Sequence, residues 1–400
     1  MKHPNKAVVM GTNYYIGLAI VRNLGRNGVH VVSVNHSGKN MYGKSKYVKE
    51  NLIGPDFKVD PKGYLNFLID YAKKQDHKPV LYPTADPYAE FMDNYFYELK
   101  EYYLFPMHKK GLLTDLMDKY KLMDFTEKYG VKTPELIYSK EENLIERVID
   151  EIGFPCILKP LDSSSFVDQY REKAFTILNE DMLREKVEIC HKDNMEVFVQ
   201  RIIPGPETNC YCYDAYMNQD GKIVQYTTAH KIRQWPNFFG ASTYTTQKWL
   251  PRVHEMSKPF LEAIGFRGFV EIELKEDEDT GVIYLIEVNV RFINFTELLC
   301  QVGLETPYLT YREMCGETIE EKAIDYDTNI RWRYLYEDIA AIKNYKRTGK
   351  LSAEEIRAQN NDPTVVRTVG STWAVDDPIP GIVFAFNAIV KRIKRYLRIK

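Results

Sequence analysis

Phe269-Val270-Glu271-Ile272-Glu273-Leu274-Lys275 and, beyond the charged turn Glu276-Asp277-Glu278-Asp279-Thr280-Gly281, Leu285-Ile286-Glu287-Val288-Asn289 decide how this 400-residue chain is read. Both runs alternate with a period of two. Val270, Ile272 and Leu274 therefore share one face and Glu271 and Glu273 the other, with Glu287 and Asn289 matched on the second run. The Gly-ended turn suits an antiparallel hairpin. If it is symmetric about Thr280, Glu273 stands opposite Glu287 and Glu271 opposite Asn289. Like charges directly across a ladder are destabilising, so two readings follow. One is a divalent cation bound by the hard oxygen ligands Glu273, Glu287 and Asn289. The other is a solvated face neutralised by Lys275 and Arg291. The hairpin alone does not choose between them.

Outward from the hairpin, the chain divides in three. Val8 to Met10, Val29 to Val34, Val80 to Tyr82 and Leu104 to Phe105 are short strand-like runs, and Leu65, Leu68, Ile69 and Ala72 keep the spacing of a buried helix face. Residues 1–107 thus read as a parallel α/β domain. Residues 108–325 read as a second, α+β region: two helical segments parted by Gly130 and Pro134, then the strand-like runs Cys156 to Lys159, Val197 to Ile203, Tyr211 to Met217 and Ile223 to Ala229 before the hairpin. Residues 326–400 mix short helices with loops and read as a third small unit or a wrap.

Gly11-Thr12-Asn13-Tyr14-Tyr15-Ile16-Gly17 follows the first strand and opens a helix, a geometry that can cradle phosphate. Asn13 stands where a dinucleotide fingerprint has its second glycine, so the turn speaks for a fold more than for a ligand, and it keeps open an NAD(P)-dependent oxidoreductase. With 54 Lys and Arg against 56 Asp and Glu, net charge −2, the chain has no global electrostatic reason to bind nucleic acid, and none is expected as a partner. None of the six cysteines has C-x-x-C spacing. Met1-Lys2-His3-Pro4-Asn5-Lys6 lacks the pattern of a signal peptide, and a cytoplasmic location is the expectation. Near the other end, Phe386, Ile389, Val390, Ile393 and Leu397 share a helix face, while Lys391, Arg392, Lys394, Arg395, Arg398 and Lys400 crowd the final ten residues. This helix is too short and interrupted to span a bilayer. Its apolar face either docks on the rest of the protein or makes a weak, salt-sensitive contact with an anionic membrane surface. Homodimerisation is left open.

The order of motifs before the hairpin resembles the ATP-grasp superfamily, in particular its carboxylate–amine ligases close to D-aspartate ligase. Asp118-Lys119 precedes Tyr129-Gly130-Val131-Lys132-Thr133-Pro134; Gly153-Phe154-Pro155-Cys156-Ile157-Leu158-Lys159-Pro160 looks like the strand ending in Lys-Pro; Asp162-Ser163-Ser164-Ser165 follows as a small-residue loop; and Val197 to Glu207 looks like the adenine-reading hinge. The resemblance covers residues 108 to 300. It implies an N-terminal α/β domain of the pre-ATP-grasp type followed by a two-part ATP-grasp domain. It departs from the family pattern in Gln200 for the usual Glu, in Glu273 for a common Asp, and in a serine run for a glycine-rich loop.

The resemblance also implies roles. Lys119 and Lys159 would meet the ATP phosphates, with Ser163, Ser164 and Ser165 folding over them. Gln200, Arg201, Ile202 and Ile203 would read adenine, and Glu207 the ribose. Glu273, Glu287 and Asn289 would hold Mg²⁺, or Mn²⁺ in its place. Lys231 and Arg233, in the basic run His230 to Pro236, and Arg291 would act on the γ-phosphate, an anionic substrate or an acyl phosphate. The implied activity joins a carboxylate to an amine, with an amino acid, a peptide or a cell-wall precursor as substrate. A carboxylase, a carbamoyl-phosphate-type enzyme and a nucleotide-binding regulator without turnover are the alternatives.

Overall fold

The protein, a computed structural model, is described at residues 3–38, 42–161 and 163–396. Its first sheet is wholly parallel: Ala7–Met10 lies between Val31–Asn35 and Val80–Pro83, and Val48–Ile53 flanks the second strand. Ala-Val-Val-Met is apolar throughout because the central strand is buried on both faces. The helix Tyr15–Arg26 covers one side with Ile16, Ile20 and Leu24. The chain moves outward from the first strand in both directions, so a crevice opens beyond the C-terminal ends of Ala7–Met10 and Val80–Pro83. Gly11 sits there at φ +75°, and a Cβ on it would fall 2.1 Å from the Tyr88 ring. Only glycine fits.

Two further sheets follow, the smaller antiparallel and the larger mixed. The smaller has the order Leu136–Tyr138, Val197–Arg201, Cys156–Pro160, Phe175–Ile177, and is backed by the helix Glu180–Lys192 through Leu158, Phe166, Leu183 and Val199. The larger has eight strands. Ile283–Asn289 forms one edge, and Gly268–Glu276, Cys210–Met217, Ile223–Trp235 and Ala241–Gln247 follow in order. The helix Pro251–Ile264 sets Val253, Phe260 and Leu261 in one apolar core with Val270, Ile272 and Leu274.

The last seventy-odd residues are not a separate unit. Ile330–Arg333 and Arg367–Gly370 extend the large sheet beyond Ala241–Gln247. The strand character of Ile-Arg-Trp-Arg was hidden by its arginines, which the fold pairs with acids. The helix Leu335–Arg347 supplies Asp338, fully buried, to both Arg233 and Arg333. Arg233 is also fully buried. Its Nε donates to Asp338 Oδ1 at 2.7 Å and its Nη2 to Asp338 Oδ2 at 2.9 Å, while Gln359 and Asn360 accept its remaining donors.

The terminal helix Ile379–Tyr396 leaves the body with its apolar face uncovered: Ile382, Phe386, Ile389 and Ile393 are exposed, so that face does not dock on the rest of the chain. Leu397, Arg398 and Lys400 lie outside the described residues. No helix among the described residues is long and apolar enough to cross a membrane.

Removing one member of a buried ion pair leaves the other uncompensated, at about 3–5 kcal/mol. Asp338→Ala is therefore expected to destabilise the protein by that amount, read as a lower midpoint in urea-induced unfolding, whereas Asp168→Ala, at an exposed pair, leaves the midpoint unchanged.

Candidate active site

Asp118 caps the helix Lys119–Lys128 by accepting from the backbone N–H groups of Tyr120 and Lys121, and this fixes where Lys119 starts. Lys119 Nζ donates to Glu287 Oε1 at 3.1 Å. In Cys156–Pro160 the period of two sends Cys156 and Leu158 into the core of the small sheet and Ile157 and Lys159 into a cleft of about 530 Å³. Gln200 lines the same cleft from the neighbouring strand and accepts from Lys159 Nζ at 2.9 Å, so its amide oxygen is committed to that lysine.

The opposite wall is the hairpin. Its register pairs Glu273 with Glu287 and Glu271 with Asn289. The charges bonded directly to the acids are not Lys275 and Arg291, although Arg291 still lowers Glu287 and Glu271 through space. Lys275 Nζ donates to the carbonyls of Gly205 and Pro206, and Arg291 pairs with Asp86 at 2.8 Å. Glu273 is instead bonded to the buried Lys231, and Glu287 to Lys119. Lys119 holds the Glu287 carboxyl below the usual carboxylate range in spite of burial. Burial works against the Lys231 charge, yet Glu273 raises its pKa overall. Burial and then Glu273 push Glu271 upward, and burial and then Glu271 do the same to Asp214, which lies against Glu271. Asn289 gives its Nδ2 to Glu271 Oε1 at 2.9 Å and to Glu273 Oε1 at 3.3 Å, which leaves its Oδ1 to a cation. Two carboxylates and an amide oxygen facing one cleft are a donor set that fits Mg²⁺. Among the described residues no group of three or more His, Cys, Asp or Glu side chains is gathered for a metal.

Other expected residues fall as follows. Arg201, Ile202 and Ile203 line the cleft, as does Glu207, which is buried and accepts from the Phe238 backbone N–H at 3.0 Å. Lys231 and Arg291 line it as well. Arg233 does not. Strict alternation would set it beside Lys231, but the strand pairing slips on either side of Arg233, which turns it to Asp338 and brings Gln234 to the cleft in its place. The serine run is not a loop either. Ser163–Tyr170 is a helix, in keeping with the preference of serine for helix starts, and Ser165 is exposed on it. Asp162 and the side chains of Ser163 and Ser164 lie outside the described residues.

Two further residues were not expected: Lys173 reaches the cleft from the loop after that helix, and Asp86, at the start of the helix Asp86–Asn94, holds the cleft residue Arg291. Nothing in the local sequence marks Lys173. Asp86 follows a parallel strand at the crevice of the first sheet, and that position was the available signal. Asn13, Tyr14 and Tyr88 close the same end.

No protein-family model matches the chain. Among curated proteins it is similar to D-aspartate ligase of Enterococcus faecium, 27% identical over 263 residues, which is 62% of this chain and 62% of that ligase. It is also similar to D-alanine--D-alanine ligase of a Thermoanaerobacter strain, 25% identical over 186 residues, 43% of this chain and 50% of the relative. The chain thus matches less than two thirds of the length of either relative. Among solved structures it resembles L-amino acid ligase from Bacillus licheniformis, with a TM-score of 0.61 and 16% identity over 80% of this chain and 76% of the other. The N5-carboxyaminoimidazole synthetase from Staphylococcus aureus complexed with ADP gives a TM-score of 0.61 and 16% identity, over 81% of this chain and 80% of the other. Biotin carboxylase from Campylobacter jejuni gives 0.63 and 17%, over 82% and 74%. The chain has the ATP-grasp fold. The small sheet with Lys159 and the hairpin with Glu273 and Glu287 line one cleft.

Burial, then the nearby Lys119 charge, lower Lys159 from 10.5 to about 8. Between those values the unfolded chain holds a proton that the folded chain lacks, so this lysine's contribution to stability grows as pH rises through the window. An anion seated beside Nζ reverses the preference. Binding of a non-hydrolysable ATP analogue at pH 8.5 is expected to take up protons, measured by calorimetry in buffers of different ionisation enthalpy, and Lys159→Met is expected to remove most of that uptake.

Proposed function

We propose that the chain is an ATP-dependent ligase that joins a carboxylate to an amine. The observation that carries this reading is one cleft with Lys159 and Gln200 on its small-sheet wall and Glu273, Glu287 and Asn289 on its hairpin wall, in a chain whose curated relatives include D-aspartate ligase. Residues 1–107 would serve as the pre-ATP-grasp domain and 108–325 as the grasp itself, with the strands from 326–400 completing its sheet. Ile157, Ile203, Leu274 and Ile286 offer apolar walls to the adenine ring, and Glu207, at the buried end, hydrogen-bond capacity to the ribose.

Glu273, Glu287 and Asn289 would hold Mg²⁺, for which Mn²⁺ can substitute; when bound, it supplies charge neutralisation on the phosphate oxygens. Lys119 and Lys159 would place ammonium charges on the phosphates, and Lys231, already paired with Glu273, would meet the γ-phosphate from the floor of the large sheet. The substrate carboxylate attacks the γ-phosphorus, giving an acyl phosphate and ADP; the amine then displaces phosphate and leaves an amide. Arg291, positioned by Asp86 beside Asn13 and Tyr14, would steady the acid at the N-terminal end of the cleft. Positioning and fixed charge carry the catalysis, with no covalent enzyme intermediate. An amino acid or peptide, including a cell-wall precursor, is the substrate class we favour, and the cytoplasm, where ATP is available, the location. A structural neighbour that is a biotin carboxylase domain in complex with bicarbonate makes that anion the acid to include as a second arm of any substrate screen.

Phosphate release that requires both an acid and an amine tests the reading; nucleotide binding without turnover over a broad amino-acid panel would overturn it. Glu287→Gln removes one proposed ligand while keeping its size. Turnover is expected to fall about 100-fold or more with an unchanged circular dichroism melt, and an active variant would return the carboxylate pair to a simple ion-paired face. Lys159→Ala is expected to weaken a non-hydrolysable ATP analogue at least tenfold by calorimetry, while Lys132→Ala, the same charge change at an exposed position, leaves affinity unaltered.

A further inference from the structure

The terminal helix is fastened at its root and bare along its length. The loop before it is held by buried polar contacts: Arg22 Nε donates to Asp377 Oδ2 at 3.0 Å, Arg22 Nη2 to the carbonyls of Thr372 and Asp377, and Ser45 Oγ to Asp377 Oδ2 at 2.7 Å. Arg26 and Tyr47 hold the adjoining Asp376. Phe384 then packs edge-on against Tyr336 at 5.6 Å and leans on Tyr334. Along a different face the helix presents Ile379, Ile382, Phe386, Ile389 and Ile393, spaced 3, 4, 3 and 4 residues apart and all exposed, with Phe386 at 65% and Ile389 at 58%. Five large apolar side chains on one stripe of one helix are a contiguous patch of the kind that marks an interaction surface.

The charge carried by the same stretch of sequence selects the partner. After Asp377 the sequence contains no Asp or Glu, while Lys391, Arg392, Lys394, Arg395, Arg398 and Lys400 bring six positive charges. The chain as a whole is close to neutral, at −2, so this segment is a local departure from its charge balance. A second copy packing in parallel on the stripe would bring like charge against like charge. An anionic lipid surface would receive both features together, apolar side chains at the acyl boundary and ammonium and guanidinium groups among the phosphates. We propose that the helix Ile379–Tyr396 docks this protein on an anionic membrane surface, lying in the interface and not across it. Its rigid root would then hold the cleft-bearing body at a fixed orientation to the lipid. The proposal is independent of which reaction the cleft performs.

The test is flotation of the full-length protein with vesicles of phosphatidylcholine alone or mixed equally with phosphatidylglycerol, at 50 and 500 mM NaCl. Binding to the anionic vesicles at least tenfold stronger than to the neutral ones, and weakened by salt, is expected. The double variant Phe386→Asp/Ile389→Asp is expected to lose that binding at least tenfold, with the thermal melt and nucleotide affinity of the parent retained. Equal recovery with and without anionic lipid would overturn the proposal. So would a concentration-dependent dimer in sedimentation velocity that the double variant abolishes while vesicle binding is absent, since the stripe would then belong to a second copy. Should the aspartates disturb folding, Lys394→Glu/Arg395→Glu gives the second arm: it leaves the apolar stripe intact, and unchanged affinity for the anionic vesicles would overturn the lipid assignment.

Discussion

Two carboxylates face each other across the strands Gly268–Glu276 and Ile283–Asn289, and much of the molecule is arranged around keeping them there. Cross-strand glutamates repel, more strongly as water is removed from around them. The compensation comes from two ammonium groups far away in sequence, Lys119 at 168 residues from Glu287 and Lys231 at 42 from Glu273. Each must be delivered by its own element: Lys119 by a helix start that Asp118 caps, Lys231 by the long strand Ile223–Trp235. The fold thereby sets four charges in alternation, with Glu273, Glu287 and Lys231 lining the cleft and Lys119 bonded to Glu287. Such a cluster is stable when the cleft is empty of other ions, and it can exchange partners when phosphates and a cation arrive, without a net charge being stranded in a medium of low dielectric.

The hairpin register was legible because alternation needs only local sequence, and the structure pairs Glu273 with Glu287 and Glu271 with Asn289 as symmetry about Thr280 requires. That symmetry ends at once, for the pairing slips between Glu273 and Leu274 and Leu274 meets Leu285. The counter-charges were not legible, because spacing along the chain says nothing about which lysine a tertiary fold returns to a given glutamate. Arg233 shows the same limit at closer range. One residue of slippage in the pairing of Ile223–Trp235 with Ala241–Gln247 reverses which side chains face the cleft, and no composition signal announces it. The serine run at 163 to 165 was ambiguous in principle, since serine favours both loops and the first turn of a helix. The strand Ile330–Arg333 was masked by arginines whose acids, Asp362 and Asp338, lie on other segments, and Arg367–Gly370 by its shortness and exposure.

The first sheet closes the end of the cleft remote from the small sheet. Its central strand is the point from which the chain turns outward both ways, and the turn at Gly11 and the helix start at Asp86 come from the two neighbouring strand ends there. Asp86 is thus a residue of the parallel domain that acts on Arg291, 205 residues later. The cleft draws on more than one sheet: Asn13, Tyr14 and Tyr88 line it from the region of the first sheet, and its charged groups come from the other two sheets and the segments beside them.

The pairing of Arg22 with Asp377 has a consequence for how the chain is made. The guanidinium belongs to the first helix and is almost completely buried, yet its carboxylate partner lies 355 residues further on. At about 5–20 residues per second of synthesis, roughly 20–70 s pass between the two. Over that interval the emerging α/β domain carries a cation with no acid to answer it, and its surface at Arg22 must stay open to water. The seal comes only when the segment around Asp376 and Asp377 leaves the ribosome and settles on Arg22, Ser45 and Tyr47. Residues made long after the first helix are therefore the ones that complete the first domain begun.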